Sequence, residues 1–152
     1  TGSSPRSVSV NTSNNTCWVA NSGTGAANGN RVRQINADNT AVLYNVTGFS
    51  TPYSVSVNHN EIINGKETVW VADTGGNRVR KIYWTGSSWT YYTFTGFLSP
   101  QYVTVNPSTN ECWVALDPTD TVNDRILRLN PEGDIEFDIG GLTSPLGISI
   151  RP

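Results

Sequence analysis

One short segment, written four times, constrains what this chain can fold into more than any other feature. It reads Pro5-Arg-Ser-Val-Ser-Val-Asn11, then Pro52-Tyr-Ser-Val-Ser-Val-Asn58, Pro100-Gln-Tyr-Val-Thr-Val-Asn106 and finally Pro145-Leu-Gly-Ile-Ser-Ile150. The opening prolines lie 47, 48 and 45 residues apart. Two further segments recur between them in fixed order. One is Cys17-Trp-Val-Ala-Asn21, Val69-Trp-Val-Ala-Asp73 and Cys112-Trp-Val-Ala-Leu116. The other is Asn30-Arg-Val-Arg-Gln-Ile35, Asn77-Arg-Val-Arg-Lys-Ile82 and Asp124-Arg-Ile-Leu-Arg-Leu129. A fourth element covers residues 41–49, 89–97 and 134–142. Self-similarity at this period marks a solenoid, a propeller or an array.

Each element is short, alternates apolar with small or polar residues, and favours Val, Ile, Thr, Tyr and Trp. Gly, Pro, Asn and Ser separate them. These are strand and turn signals, and no stretch holds the helical spacing of apolar residues. Four strands per repeat predict an all-β chain of antiparallel four-stranded blades, the architecture of a β-propeller. The predicted repeats run over residues 5–51, 52–99 and 100–144, with residues 145–150 left as an extra inner strand. Trp18, Trp70 and Trp113 point to one side of their strands and Val19, Val71 and Val114 to the other. Both faces are thus apolar, as stacked blades require, and the tryptophans are expected between sheets.

Val71-Ala-Asp-Thr-Gly-Gly-Asn-Arg-Val-Arg-Lys-Ile82 resembles the signature of NHL repeats, and the Pro-x-x-Val-x-Val-Asn strand fits it too. The resemblance extends to all three repeats, in the form found in secreted bacterial and archaeal relatives with a Cys-Trp-Val-Ala strand. It thins where Asn21 and Leu116 replace the aspartate. The family implies a ring of about six blades, whereas three cannot close. The chain is therefore expected to pair with copies of itself or with the remainder of a longer propeller. The extra strand, with Pro145, Leu146, Ile148 and Ile150, is an unpaired edge of the kind that recruits another chain. Closure of two copies gives a ring, and head-to-tail addition without closure gives a filament.

The formal net charge of -2 does not favour nucleic acid. Seven of the ten basic residues, Arg31, Arg33, Arg78, Arg80, Lys81, Arg125 and Arg128, nevertheless fall on the third strand of their repeats. They form either a band for a polyanion, glycan or RNA, or clasps onto loops of adjoining blades. No apolar run approaches the ~20 residues that span a bilayer. Without Met and rich in Ser, Thr, Asn and Gly, the chain reads as a mature or excised secreted or surface protein. Asn11, Asn14 and Asn45 head glycosylation sequons.

Chemistry is sparse. His59 is the single histidine, so any Ser-His-Asp arrangement would have to use it, and its predicted place is a connection. Asp117, Asp120 and Asp124, with Asn123, crowd one turn and offer calcium the oxygen ligands it takes, although turn aspartates also bond their own backbone. No other cofactor is indicated. Cys17 and Cys112 hold equivalent positions in non-adjacent repeats, too far apart for a bridge. The leading expectation is a non-enzymatic structural or interaction module. The rival is an enzyme or ligand-binding propeller of lyase or lactonase type, its site completed by assembly, with Asp73, Arg78 and Asp117 on a shared channel.

Overall fold

The computed structural model describes residues 3–23, 29–38, 40–117, 124–145 and 147–150. Its strands form three antiparallel sheets, each four strands in chain order. The first holds β1 (Ser3–Val10), β2 (Cys17–Gly23), β3 (Arg31–Ile35) and β4 (Val42–Val46). The second holds β5 (Pro52–Ile63), β6 (Lys66–Asp73), β7 (Arg78–Trp84) and β8 (Trp89–Thr95), with a one-turn 3-10 helix at Thr74–Gly76. The third holds β9 (Pro100–Val105), β10 (Cys112–Leu116), β11 (Arg125–Leu129) and β12 (Ile135–Ile139). Each repeat is one blade.

Alternation along the strands gives every blade a valine face and a tryptophan face. Trp18, Ala20, Val32, Val46 and Phe49 of the first blade meet Val55, Val57, Val69, Val71 and Ile82 of the second. Trp70, Ala72, Val79 and Phe97 of the second meet Val103, Val105, Cys112, Val114 and Leu127 of the third. Trp18 and Trp70 are 0% exposed, so the sequence expectation for these rings holds. Trp113 is only half-buried, and among the described residues no fourth sheet covers it.

Serine hydroxyls link successive inner strands. The backbone amides of Val55 and Val57 donate to Ser7 Oγ at 3.2 Å and Ser9 Oγ at 3.0 Å. Those of Val103 and Val105 donate to Ser54 Oγ at 3.2 Å and Ser56 Oγ at 3.1 Å. A small residue fits this crowded strand, and its hydroxyl also satisfies the amide that the blade's own ladder leaves unpaired.

Each passage from an outer strand to the next inner strand turns on a left-handed residue: Thr51 (φ 60°), Ser99 (φ 48°) and Ser144 (φ 44°). This conformation costs a non-glycine residue about 1–2 kcal/mol, and side chains hold the turn. Asn77 Oδ1 accepts the Ser99 amide at 3.0 Å, and Asp124 Oδ2 accepts the Ser144 amide at 2.6 Å. Beyond Ser144 the described residues 147–150 belong to no sheet.

One connection differs from expectation. Residues 58–67, read from sequence as a turn region, continue the β5–β6 hairpin to Ile63 and Lys66 after a register shift between Asn58 and Ile62. The chain reverses at Asn64 (φ 50°) and Gly65 (φ 84°), the pair of left-handed residues that a tight two-residue hairpin requires. His59 therefore sits half-buried within β5.

Candidate assembly faces and interblade clefts

The two end faces of the chain are apolar and largely exposed. Val8 and Val10 on the first valine face are 61% and 52% exposed, and Phe137 and Ile139 on the last tryptophan face are 45% and 40% exposed. On that last face a groove of 410 Å³ is lined by Trp113, Ile126, Arg128 and Ile139 together with Ile148 and Ile150. Residues 147–150 thus lie along the third blade, where a following inner strand would run.

Polar groups lock the internal junctions. Gln34, Lys81 and Arg128 share one repeat position, facing Trp18, Trp70 and Trp113 across their strand pairs. In the first junction Gln34 Nε2 and Trp18 Nε1 both donate to buried Glu67, at 2.8 and 2.9 Å. In the second, Lys81 Nζ donates to Glu61 at 2.5 Å and to the Pro131 carbonyl of the third blade at 2.9 Å. Among the described residues no fourth blade follows for Arg128 to reach. Its guanidinium lies 5.8 Å from the Trp113 ring centroid and 6.0 Å from that of Phe137, and pairs at 3.5 Å with both Glu111 and Glu136.

A second clasp comes from the valine side. Arg80 donates to the Gly48 carbonyl of the first blade at 2.8 Å and lies 3.9 Å from the Tyr91 ring centroid. Burial lowers its pKa. Asp73, 0% exposed, accepts the Ser50 amide at 2.6 Å and Arg78 Nε at 2.7 Å. Asp73 and Arg78 are thereby committed to the junction between the first two blades.

The residues singled out in the sequence fall as follows. Arg31 donates to the Gly29 carbonyl, Arg33 to Asn45, and Arg125 pairs with Asp138 at 2.9 Å. The arginine band is accordingly engaged within the chain at every described position. Asp124 is 1% exposed and holds the Ser144 turn, while Asp117 donates its amide to the Ser99 carbonyl at 3.2 Å. Asp120, Asn123 and Leu146 lie outside the described residues. Among the described residues no three His, Cys, Asp or Glu side chains gather as a metal site. Asn14 and Asn45 are exposed. Asn11 is a correction: it is 1% exposed, its side-chain Oδ1 accepts the Ser13 amide at 3.0 Å, and a glycan has no room there.

Cys112 is buried and its burial pushes the thiol pKa well up; Cys17 is half-buried on the open valine face. Among the described residues no helix is long and apolar enough to cross a membrane.

Sequence reasoning missed the cleft beside Glu67. Lys66 Nζ sits 5.3, 5.1 and 5.8 Å from the ring centroids of Tyr44, Trp84 and Trp89. This aromatic cage belongs to two blades and is filled by the protein's own ammonium, a cation–π arrangement. The signal was available in the aromatic density of residues 83–92, but the partner across the junction was not.

No family model matches the chain, and no curated protein matches it by sequence. Solved structures do match its shape. The hydrazine synthase of Kuenenia stuttgartiensis superposes with a TM-score of 0.73 at 12% identity, over 93% of this chain and 37% of that one. A chain of a nidogen/laminin complex gives 0.70 at 11%, over 93% of this chain and 50% of that one. The chain is a partial β-propeller. The crystal structure of a putative 6-phosphogluconolactonase from Bacteroides uniformis gives 0.66 at 12%, over 99% of this chain and 45% of that one. The partial propeller spans half or less of each of these chains, and at such identities the likeness is one of fold.

Proposed function

We propose that this partial propeller is a non-enzymatic structural or interaction module, displayed outside the cell, that associates through its two open blade faces. The observation that carries this reading is the contrast between inner-strand valines. Val55, Val57, Val103 and Val105 are 4–8% exposed, whereas Val8 and Val10 are 61% and 52% exposed. Among the described residues the first blade packs on Val55 and Val57 and the second on Val103 and Val105, and none packs on Val8 and Val10 in that way. The resemblance to NHL repeats is consistent with this role, and so is the occupation of Asp73 and Arg78 in a blade junction.

Two copies placed head to tail would supply six blades, within the roughly four to eight of closed propellers; addition without closure would give a fibre. Light scattering across a concentration series, with electron microscopy of the eluted particles, tests the reading. A dimer with ring-shaped images or a growing polymer is expected. A monomer at every concentration, with specific turnover or binding of a small molecule, would overturn it.

A further inference from the structure

We propose that the groove on the third blade is the seat for the valine face of a second copy, whose β1 displaces residues 147–150 from it. The proposal rests on the self-association reading and adds which faces meet, in what register, and what must move.

The two internal junctions are the templates. In each, a tryptophan face is covered by an inner strand and by the second and third strands behind it. On the third blade only the inner-strand position is taken. Ser144 turns the chain with Asp124 holding its amide at 2.6 Å, as Asn77 holds Ser99 before β9 at 3.0 Å. Ile148 and Ile150 then line the groove with Trp113 and Ile126, at the repeat positions of Val8 and Val10. No second or third strand follows them among the described residues. Trp113 stays half-buried, and Phe137 and Ile139 stay 45% and 40% exposed.

Blade 1 of a second copy carries the full complement: Val8 and Val10 on β1, Cys17 and Val19 on β2, and Ile35 on β3. Register supplies polar contacts as well. Arg33 pairs with Val19 as Arg80 pairs with Val71, and Gly141 stands in the third repeat where Gly48 stands in the first. The Arg80 clasp on the Gly48 carbonyl at 2.8 Å thus has its counterpart in Arg33 on Gly141. The second junction has Leu127 at that position, so the new contact copies the first junction. Thr104 offers a hydroxyl where Ser56 accepts the Val105 amide, here for Val10. One inner-strand position cannot hold both β1 of the second copy and residues 147–150, so the segment leaves.

Cys17 reports the event, because it takes the place that Cys112 holds at 0% exposure. The experiment alkylates the full chain with N-ethylmaleimide over a concentration series while light scattering follows mass. Cys17 labelling is expected to slow on the order of ten-fold or more as mass rises, since burial must then open first, with Cys112 slow throughout. Val10→Asp is expected to keep its melting temperature, remain monomeric and leave Cys17 reactive. Ile148→Asp with Ile150→Asp is expected to lower the concentration for association by about ten-fold, because the seat is vacated in advance. Association that leaves Cys17 reactive, or that the isoleucine substitutions weaken, would overturn the exchange while leaving self-association standing. Constant mass at all concentrations would overturn both.

Discussion

Residues 7–11 and residues 54–58 are the same five amino acids, Ser-Val-Ser-Val-Asn, and they form the same inner strand in two blades. Their asparagines are equally buried, at 1% and 0% exposure, but their valines are not: 61% and 52% for Val8 and Val10 against 4% and 8% for Val55 and Val57. The asparagine is buried with or without a blade before it, whereas Val55 and Val57 are buried against the blade before theirs. One sequence therefore encodes two requirements, pairing within a sheet and cover from a neighbour, and the first copy meets only one of them within the chain.

The largest expected difference between covered and open faces lies at the tryptophans. Trp70→Ala removes a fully buried ring and should cost about 3–5 kcal/mol in denaturant unfolding of the monomer. The same change at half-buried Trp113 should cost clearly less, and equal losses would show that the third blade is covered in solution. Next come the valines. Val57→Ala should lose about 1.5–3 kcal/mol, from two buried methyl groups at ~0.8 kcal/mol each and the cavity they leave, whereas Val10→Ala should stay within about 0.5 kcal/mol in dilute protein. A large loss at Val10 under those conditions would mean that its face is already occupied. The smallest effect is chemical. Burial raises the Cys112 thiol pKa, so the thiolate that reacts is scarcer at any ordinary pH. Cys17 should therefore take up a thiol reagent first in dilute native protein, and both should react alike once unfolded.

The blade architecture was legible because its cause is local. Alternation in Ser-Val-Ser-Val and Trp-Val-Ala, punctuated by proline and glycine, specifies strands, and the period specifies their number. Junction chemistry was legible only in part. The arginine positions stood out by their recurrence, but Arg80 reaching the Gly48 carbonyl, 32 residues away, is a property of stacked blades that spacing does not reveal. The reach of β5 past His59 was missed because all of residues 58–67 read as one connection, whereas the reversal itself is confined to Asn64-Gly65. Asn11 looked like a surface sequon, yet its side chain folds inward onto Ser13. The role of Asp124 emerged only with the Ser144 turn in view.

Amide hydrogen exchange on the two identical pentapeptides, read by mass spectrometry in dilute and in concentrated protein, tests most directly whether the first blade awaits a neighbour. Residues 7–11 should exchange faster than residues 54–58 at low concentration and approach their protection as particles form. Equal protection at low concentration, or a first strand that stays unprotected in the assembled particle, would contradict it.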